Sequence, residues 1–241
     1  MTEQEYRAHP ALNYSKLKNL LYGDQHFLDC LKIESEPTST MLLGTLTHAM
    51  CLEPNTVPAR FGEKPRYAKA NTWEKENPGM IGLTAAQWFA AAQMTIQLES
   101  LDSFKYVDYP GAIRETPMFA KIGGVSVKCK PDVLLLGLKH GSFIQDIKTI
   151  ESPGKSAFKQ AMFNFGYRIQ AGLYSMIAKA IHGYDFGFSF LVASNRKPFS
   201  ANEYILTGST LSDCQEETVK LLARAASLMD GSFKPESTFF I

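Results

Sequence analysis

The 241-residue sequence lacks any run approaching the ~18 uncharged apolar residues that a membrane-spanning helix requires. Its opening, Met1 to Pro10, is too polar for the apolar segment of a secretory signal, so neither a membrane partner nor export is expected. Cysteine is sparse: Cys30, Cys51, Cys129 and Cys214 stand far apart. That spacing fits neither a zinc knuckle nor an iron–sulfur quartet, and scattered thiols without an export signal point to a reducing cytoplasm, bacterial or phage-infected. No excess of either charge exists, because 25 Lys and Arg against 24 Asp and Glu leave a net of +1. Bulk electrostatics therefore give no reason to expect nucleic-acid binding, although a local basic groove stays open. A phosphate-binding loop is absent as well, since Gly154-Lys155-Ser156 is preceded by Thr149 where the first glycine belongs, so no ATP use is expected. Gly187-Phe188-Ser189 lacks the second glycine of a nucleophile elbow.

What is present describes an ordinary globular protein: 45% hydrophobic, 12% aromatic and 20% charged residues in 26.8 kDa. A chain of this length buries roughly 70–75% of its extended surface and needs no disulfide or structural zinc. Residues 1–55 read as helices. Ser15 is placed to cap a turn into Leu17, Leu20 and Leu21, Gly23-Asp24 interrupts, and Met41 to Leu52 forms an apolar helix carrying His48. Residues 56–82 read as a polar loop or flap, in which Arg60, Lys64, Arg66, Lys69 and Lys75 interleave with Phe61, Tyr67 and Trp73. Residues 83–241 hold the sheet. Thr84 with Gln87 is a capping box opening a helix to about Leu101. Val125, Val127 and Cys129 then alternate with polar residues as a half-buried strand that Asp132 to Leu136 continues. Gly137 to Gly141 turns, and Phe143 to Thr149 returns. A helix over Tyr167–Ile181, strands over Phe186–Val192 and Tyr204–Leu206, and a helix over Ser212–Met229 complete a mixed sheet flanked by helices.

The chemistry centres on Pro131-Asp132 and, after thirteen intervening residues, Asp146-Ile147-Lys148. Side chains two apart in a strand point to one face, about 7 Å from each other, so Asp146 and Lys148 share a face. Pairing of the two strands through the turn brings Asp132 beside Asp146. Two converging carboxylates form a hard oxygen site suited to Mg²⁺, and the ammonium completes a phosphodiester-cleaving set. The bland alternative is a pair of solvated strand ends. Downstream, Tyr167, Gln170 and Tyr174 stand three and four apart on a helix and line up as a polar stripe beside the apolar one. Core packing accounts for Tyr174 alone, but a buried amide at Gln170 needs partners. His48 taken by itself is a core histidine, and Glu115 by itself a surface charge.

Taken in order, Gly44-Thr45-Leu46-Thr47-His48, Glu115, Lys130-Pro131-Asp132, Asp146-Ile147-Lys148-Thr149 and Gln170-Ala171-Gly172-Leu173-Tyr174 resemble the PDDEXK nuclease superfamily. The RecE-like (exonuclease VIII) group fits best, and Leu12-Asn13-Tyr14-Ser15-Lys16-Leu17 is similar to that group's opening. The resemblance implies an α/β fold with a restriction-endonuclease-like core, a central mixed β-sheet flanked by helices, and an N-terminal helical extension. It implies one exonuclease domain over residues 1–241, with 83–241 as the nuclease core. It further implies a metal-dependent, ATP-independent enzyme that degrades double-stranded DNA from its ends, 5′→3′, leaving 3′ tails for recombination by strand annealing. Asp132, Asp146 and the Ile147 carbonyl would hold Mg²⁺, or Mn²⁺ in its place, with His48 as a further ligand and Glu115 in the metal or water network. Lys148 would position the attacking water, and Gln170 with Tyr174 and Tyr167 would hold the lysine or the scissile phosphate. A homo-oligomeric ring around DNA and a single-strand annealing protein are the implied partners.

Two departures from the family pattern stand out. Asp146 replaces the glutamate common in the superfamily, an exchange familiar in RecE-like and RecB-like branches. Only Cys214 lies near the C-terminus, so the iron–sulfur cluster of some relatives is not expected. For DNA contact the candidates are Lys155, Lys159, Tyr167 and Arg168 after the catalytic strand, with a solvated helix face as the equal alternative, and Arg66 and Trp73 in the loop. The rival readings are a nuclease-fold module that only binds DNA ends or partners, and an endonuclease or 3′→5′ nuclease of the same superfamily.

Overall fold

The computed structural model describes residues 1–33, 37–65, 70–139 and 141–232. Five short helices come first: α1 (Glu3–Ala8), α2 (Tyr14–Leu17), α3 (Asp24–Lys32), α4 (Ser39–Leu52) and α5 (Val57–Arg60). Thr2 and Glu5 form a capping box on α1, and Thr38 caps α4. The cap of α2 is Asn13 and not Ser15: the Asn13 carboxamide accepts the Lys16 N–H at 2.9 Å, which places Ser15 inside the helix. Gly23, at φ +115°, breaks the chain before α3 as expected.

Residues 56–82 are more than a polar loop. They contain α5, β1 (Phe61–Glu63), α6 (Ala70–Glu76) and β2 (Ile81–Leu83), and β1 pairs in parallel with β2. Trp73 organises this piece. Its indole lies so close over Gly62 and Gly82 that a Cβ there would approach the ring to 2.8 and 2.7 Å, and its N–H donates to the Glu63 carbonyl at 3.1 Å. Burying one large aromatic outweighs the polarity of its neighbours. Arg66, Tyr67 and Lys69 lie outside the described residues. The predicted capping box is formed, with Thr84 and Gln87 opening α7 (Ala85–Glu99).

The remaining strands are β3 (Ala112–Arg114), β4 (Met118–Ile122), β5 (Val125–Cys129), β6 (Val133–Leu138), β7 (Gly141–Ile150), β8 (Phe186–Ser194) and β9 (Ala201–Leu206). Between β7 and β8 run α8 (Lys155–Asn164) and α9 (Tyr167–His182), and α10 (Gly208–Met229) follows β9. The main sheet has the order β3-β6-β7-β8-β9, parallel only between β7 and β8. β5 does not run on into β6: it pairs with β4 as a separate hairpin, and the chain turns a corner at Lys130-Pro131. Proline supplies no ladder N–H, so strand pairing stops there and Asp132 is left at the mouth of β6.

One face of the sheet packs Ile144, Phe186, Phe188 and Phe190 against Ile169, Leu173 and Ile177 of α9. The other packs Ile147, Leu191 and Ala193 against Cys51 of α4 and Met94 and Leu98 of α7. Helix α9 is buried on nearly every side because α10 covers its back. At Gly172 the two helices touch so closely that a Cβ would lie 2.4 Å from the Cys214 carbonyl oxygen and the Thr218 hydroxyl. The glycine in Gln170-Ala171-Gly172-Leu173-Tyr174 is therefore a crossing point. Its neighbour Gln170 faces the sheet.

Candidate active site

Strand β7 is the frame of the site. The register Val133↔Gln145 sets Asp132 next to Asp146, and the Asp132 carboxylate accepts the Ile147 N–H at 2.6 Å. Asp146 and Lys148 share the α9 face of the strand, as the period of two requires. The Lys148 ammonium is ion-paired with the Asp146 carboxylate. Gln170 donates from its amide nitrogen to the other Asp146 oxygen at 2.6 Å, so the donor half of the buried amide has its partner. The Lys148 ammonium also lies 5.1 Å from the Tyr167 ring centre and 5.9 Å from that of Phe190. Aromatic faces favour the charged form at that range.

From the opposite side α4 delivers His48. Gly44 and His48 are four apart and present one helix face, and at Gly44 a Cβ would lie 3.1 Å from the Thr149 hydroxyl. The missing side chain lets α4 settle on the end of β7. His48 Nε2 then reaches the Ile147 carbonyl at 2.7 Å, and Nδ1 lies 3.4 Å from the Asp132 carboxylate. Glu115 closes the third side with its backbone at φ +48°, a left-handed conformation that costs a glutamate on the order of 1–3 kcal/mol. Its N–H is fixed to the Pro131 and Asp132 carbonyls at 3.1 and 3.3 Å. Donor atoms of His48, Glu115 and Asp132 all lie within 4.8 Å of one another.

Electrostatics follow from burial. Burial and the neighbouring Asp146 raise the Asp132 pKa well above the aspartate range. Burial, then the Lys148 ammonium, depress His48, which keeps the imidazole neutral and able to ligate. Burial alone would depress Lys148 too, but Asp146 and Asp132 outweigh it and raise its pKa above the ordinary value. Burial and Asp146 raise Tyr174, whose ring belongs to the core. Carboxylate oxygens, one carbonyl and a neutral imidazole fit a small hard divalent cation, and a cation here would relieve the crowding of buried acids.

Among the sequence candidates the structure brings together His48, Glu115, Asp132, Asp146, Ile147, Lys148 and Gln170. Within that group Asp146, expected as a metal ligand, turns its two oxygens to Lys148 and Gln170. Tyr167 lines the open cleft of about 1300 Å³ that His48, Asp132 and Lys148 also line. The proposed DNA contacts fare differently. Lys155 and Lys159 are exposed on α8. Arg168 is held in a two-pronged ion pair with Glu217, with its guanidinium 4.4 Å from the Phe163 ring centre, so its charge is already matched. Trp73 is buried under β1 and β2 and presents no face for base stacking, because its indole fills the space over two glycines. Arg66 lies outside the described residues.

The partners of three lysines were not read from the sequence. Lys130 is bound between Glu115 at 2.5 Å and Glu3 of α1 at 2.9 Å, so the N-terminal helix forms a wall of the cleft. Lys128, only 2% exposed, holds that helix by donating to the carbonyls of Tyr6 at 2.5 Å and His9 at 2.7 Å. Lys18 rests 5.2 Å from the Tyr14 ring centre. No local pattern announces the contacts of Lys130 with Glu3 and of Lys128 with Tyr6 and His9, each more than a hundred positions apart.

The fold has a solved counterpart. The fold is similar to that of a protein from Eubacterium rectale solved as a "Putative exonuclease", with a TM-score of 0.72 at 16% identity over 98% of this chain and 89% of that one. A second solved protein, SSO0001, overlaps 86% of this chain and 84% of its own at 15% identity, but its TM-score of 0.31 is too low to carry any argument. No curated protein matches the sequence. Residues 13–238 match the family described as a PDDEXK-like domain of unknown function (DUF3799), and the chain belongs to that family.

Proposed function

We propose that the protein is a divalent-metal-dependent nuclease that hydrolyses DNA phosphodiesters, and within that class an ATP-independent exonuclease of the RecE-like kind. The observation that carries the reading is the grip on Lys148: one buried carboxylate, Asp146, is held by Gln170 on one oxygen and holds the ammonium with the other. Next to that grip three further metal-type donors, on His48, Glu115 and Asp132, converge within 4.8 Å of one another, which a purely structural ion pair does not need.

His48, Asp132, Glu115 and the Ile147 carbonyl would hold the ion, Mg²⁺ or Mn²⁺, with Asp146 beside them. A bound divalent cation supplies charge to polarise the phosphate and to acidify a water at neutral pH. The residues do the rest. Lys148 orients the attacking water and offsets charge developing on the phosphate. Asp146 and Gln170 fix the direction of that ammonium, and the rings of Tyr167 and Phe190 keep it dry on one side. Tyr174 stands behind them as a packing residue. Degradation from double-strand ends in the 5′→3′ direction, a homo-oligomeric ring, release of 3′ tails to an annealing protein and a cytoplasmic setting belong to the same proposal, on the strength of the RecE-like motif order.

The test is hydrolysis of linear duplex carrying a 5′ label, with Mg²⁺ or with EDTA, beside closed circular duplex. Loss of linear duplex only with metal, and sparing of circles, is the expected result. Nicking of circles would move the protein to the endonucleases, and loss of the 3′ strand first would reverse the polarity. Binding without hydrolysis under every metal would leave a DNA-end-binding module.

A further inference from the structure

The aromatic surface that the sequence suggested around Trp73 is buried, yet another one stands at the mouth of the cleft. Between α8 and α9 the chain turns through Phe163-Asn164-Phe165-Gly166. Phe163 is 63% exposed and Phe165 50% exposed, unusual for phenylalanine, and Phe165 lines the cleft. The turn is not loose. Tyr14 donates its hydroxyl to the Phe165 carbonyl at 2.6 Å and Tyr22 to that of Asn164 at 3.1 Å. Gly166 takes φ +70°, and a Cβ there would come within 3.1 Å of Lys18 Cβ. Two phenols and a left-handed glycine thus hold an apolar ring out in water, where hydration alone would fold it away.

A cation stands beside it. Lys18 extends over the same Tyr14 ring that clamps the turn. Among the described residues it forms no ion pair, and burial, then the Lys148 ammonium, lowers its pKa. A half-buried ammonium without a carboxylate partner, set beside the clamped turn at Gly166, makes a seat for an anion. Phe165 in turn lies 5.7 Å from Tyr167, whose ring is 5.1 Å from Lys148, so the exposed ring is within about 11 Å of the catalytic ammonium. About one or two nucleotides of a single strand cover that span.

We propose that Lys18 and Phe165 form a nucleotide subsite at the cleft mouth, the ammonium taking a backbone phosphate of the entering strand and the ring stacking on an unpaired base. This rests on the nuclease reading of Lys148 and adds to it that the strand enters single. A ring that stacks on a base cannot do so while that base is paired and stacked in duplex, so the subsite selects frayed or unpaired DNA next to the scissile bond.

The experiment reads binding of a short fluorescein-labelled oligothymidylate to the full chain in EDTA, at several salt concentrations. Lys18→Met is expected to lower the slope of log affinity against log salt by about 0.7, the share of one phosphate contact on a single strand. Phe165→Ala is expected to cost about tenfold in affinity with the slope unchanged, the loss of one stacked base. Phe165→Trp is expected to restore affinity and to show fluorescence quenched by the strand. An abasic residue walked along the strand should cost wild type tenfold at one position and Phe165→Ala less than twofold there. An unaltered slope for Lys18→Met, or abasic losses in Phe165→Ala equal to those of wild type at every position, would overturn the subsite. Because no hydrolysis is needed, a chain that binds as described but cleaves nothing in Mg²⁺ or Mn²⁺ would sink the nuclease reading and leave the subsite standing. A chain that cleaves while both variants bind like wild type would sink the subsite alone.

Discussion

His48 Nε2 lies 2.7 Å from the Ile147 carbonyl oxygen, so that nitrogen carries the proton, and Nδ1 turns a lone pair toward the Asp132 carboxyl at 3.4 Å. A lone pair facing an ionised carboxylate would be repulsive. The raised Asp132 pKa and the lowered His48 pKa resolve this in the same way, with a proton on Asp132 and none added to His48. Binding of a cation by these groups must therefore displace the Asp132 proton.

Stability against pH follows with a definite sign. The unfolded Asp132 releases its proton near the ordinary aspartate pKa, whereas the folded one keeps it to a well-raised value. Between these two values the native state binds more protons than the unfolded chain, so stability falls as pH rises through the window. In EDTA the melting temperature should drop from mildly acid to neutral pH. Mg²⁺ should raise it, and by more at the higher pH. Asp132→Asn should flatten the pH dependence and abolish the Mg²⁺ response; a variant that still answers Mg²⁺ like wild type would remove Asp132 from the metal site.

Lys148→Met should lower turnover by at least about a hundredfold, the scale of losing one charge-stabilising donor. Its melting temperature should still rise with Mg²⁺, because the lysine binds no metal. Hydrolysis by this variant at a tenth of wild-type rate or better would defeat the proposed role.

Gln170→Ala tests positioning. It leaves Asp146 free to turn, so the expected change is a fall in kcat of about tenfold or more with little effect on strand affinity in EDTA. Gln170→Glu should not rescue, since a second carboxylate would repel the first. Equal losses in affinity and in kcat would mean that Gln170 touches the substrate.

Gly172→Ala should destabilise by about 1–3 kcal/mol, as a methyl is forced between α9 and the backbone of α10 at Cys214. Denaturant midpoints measure this. The cost should persist with Thr218→Ala, because the Cys214 carbonyl remains in the way.

The parts legible in the sequence were those fixed by short-range geometry. The Thr84–Gln87 box, the alternation that puts Asp146 and Lys148 on one face, and the apolar helix that carries His48 all follow from short-range pattern. The misplaced parts depended on long-range competition. Nothing within a few residues of Val125–Cys129 says that this strand pairs with β4 instead of extending into β6; the corner at Pro131 decides it. Trp73 reads as polar-loop aromatic until β1 and β2 offer two glycines to pack on. Lys128 looks like the polar half of an alternating strand, yet α1 folds over it and turns it into a buried anchor.

The length of β7 has its own consequence. The strand that bears Asp146 and Lys148 is bonded to β8 at nine consecutive positions and to β6 on its other edge. Those two groups therefore sit on a strand that is paired along both edges. The pieces that border the cleft, α1 and the turn at Phe165, are tied in by polar links from Lys128, Lys130, Tyr14 and Tyr22. Under the proposed nuclease reading, substitutions along that perimeter alter which DNA the cleft accepts while the frame of Asp146 and Lys148 stays fixed.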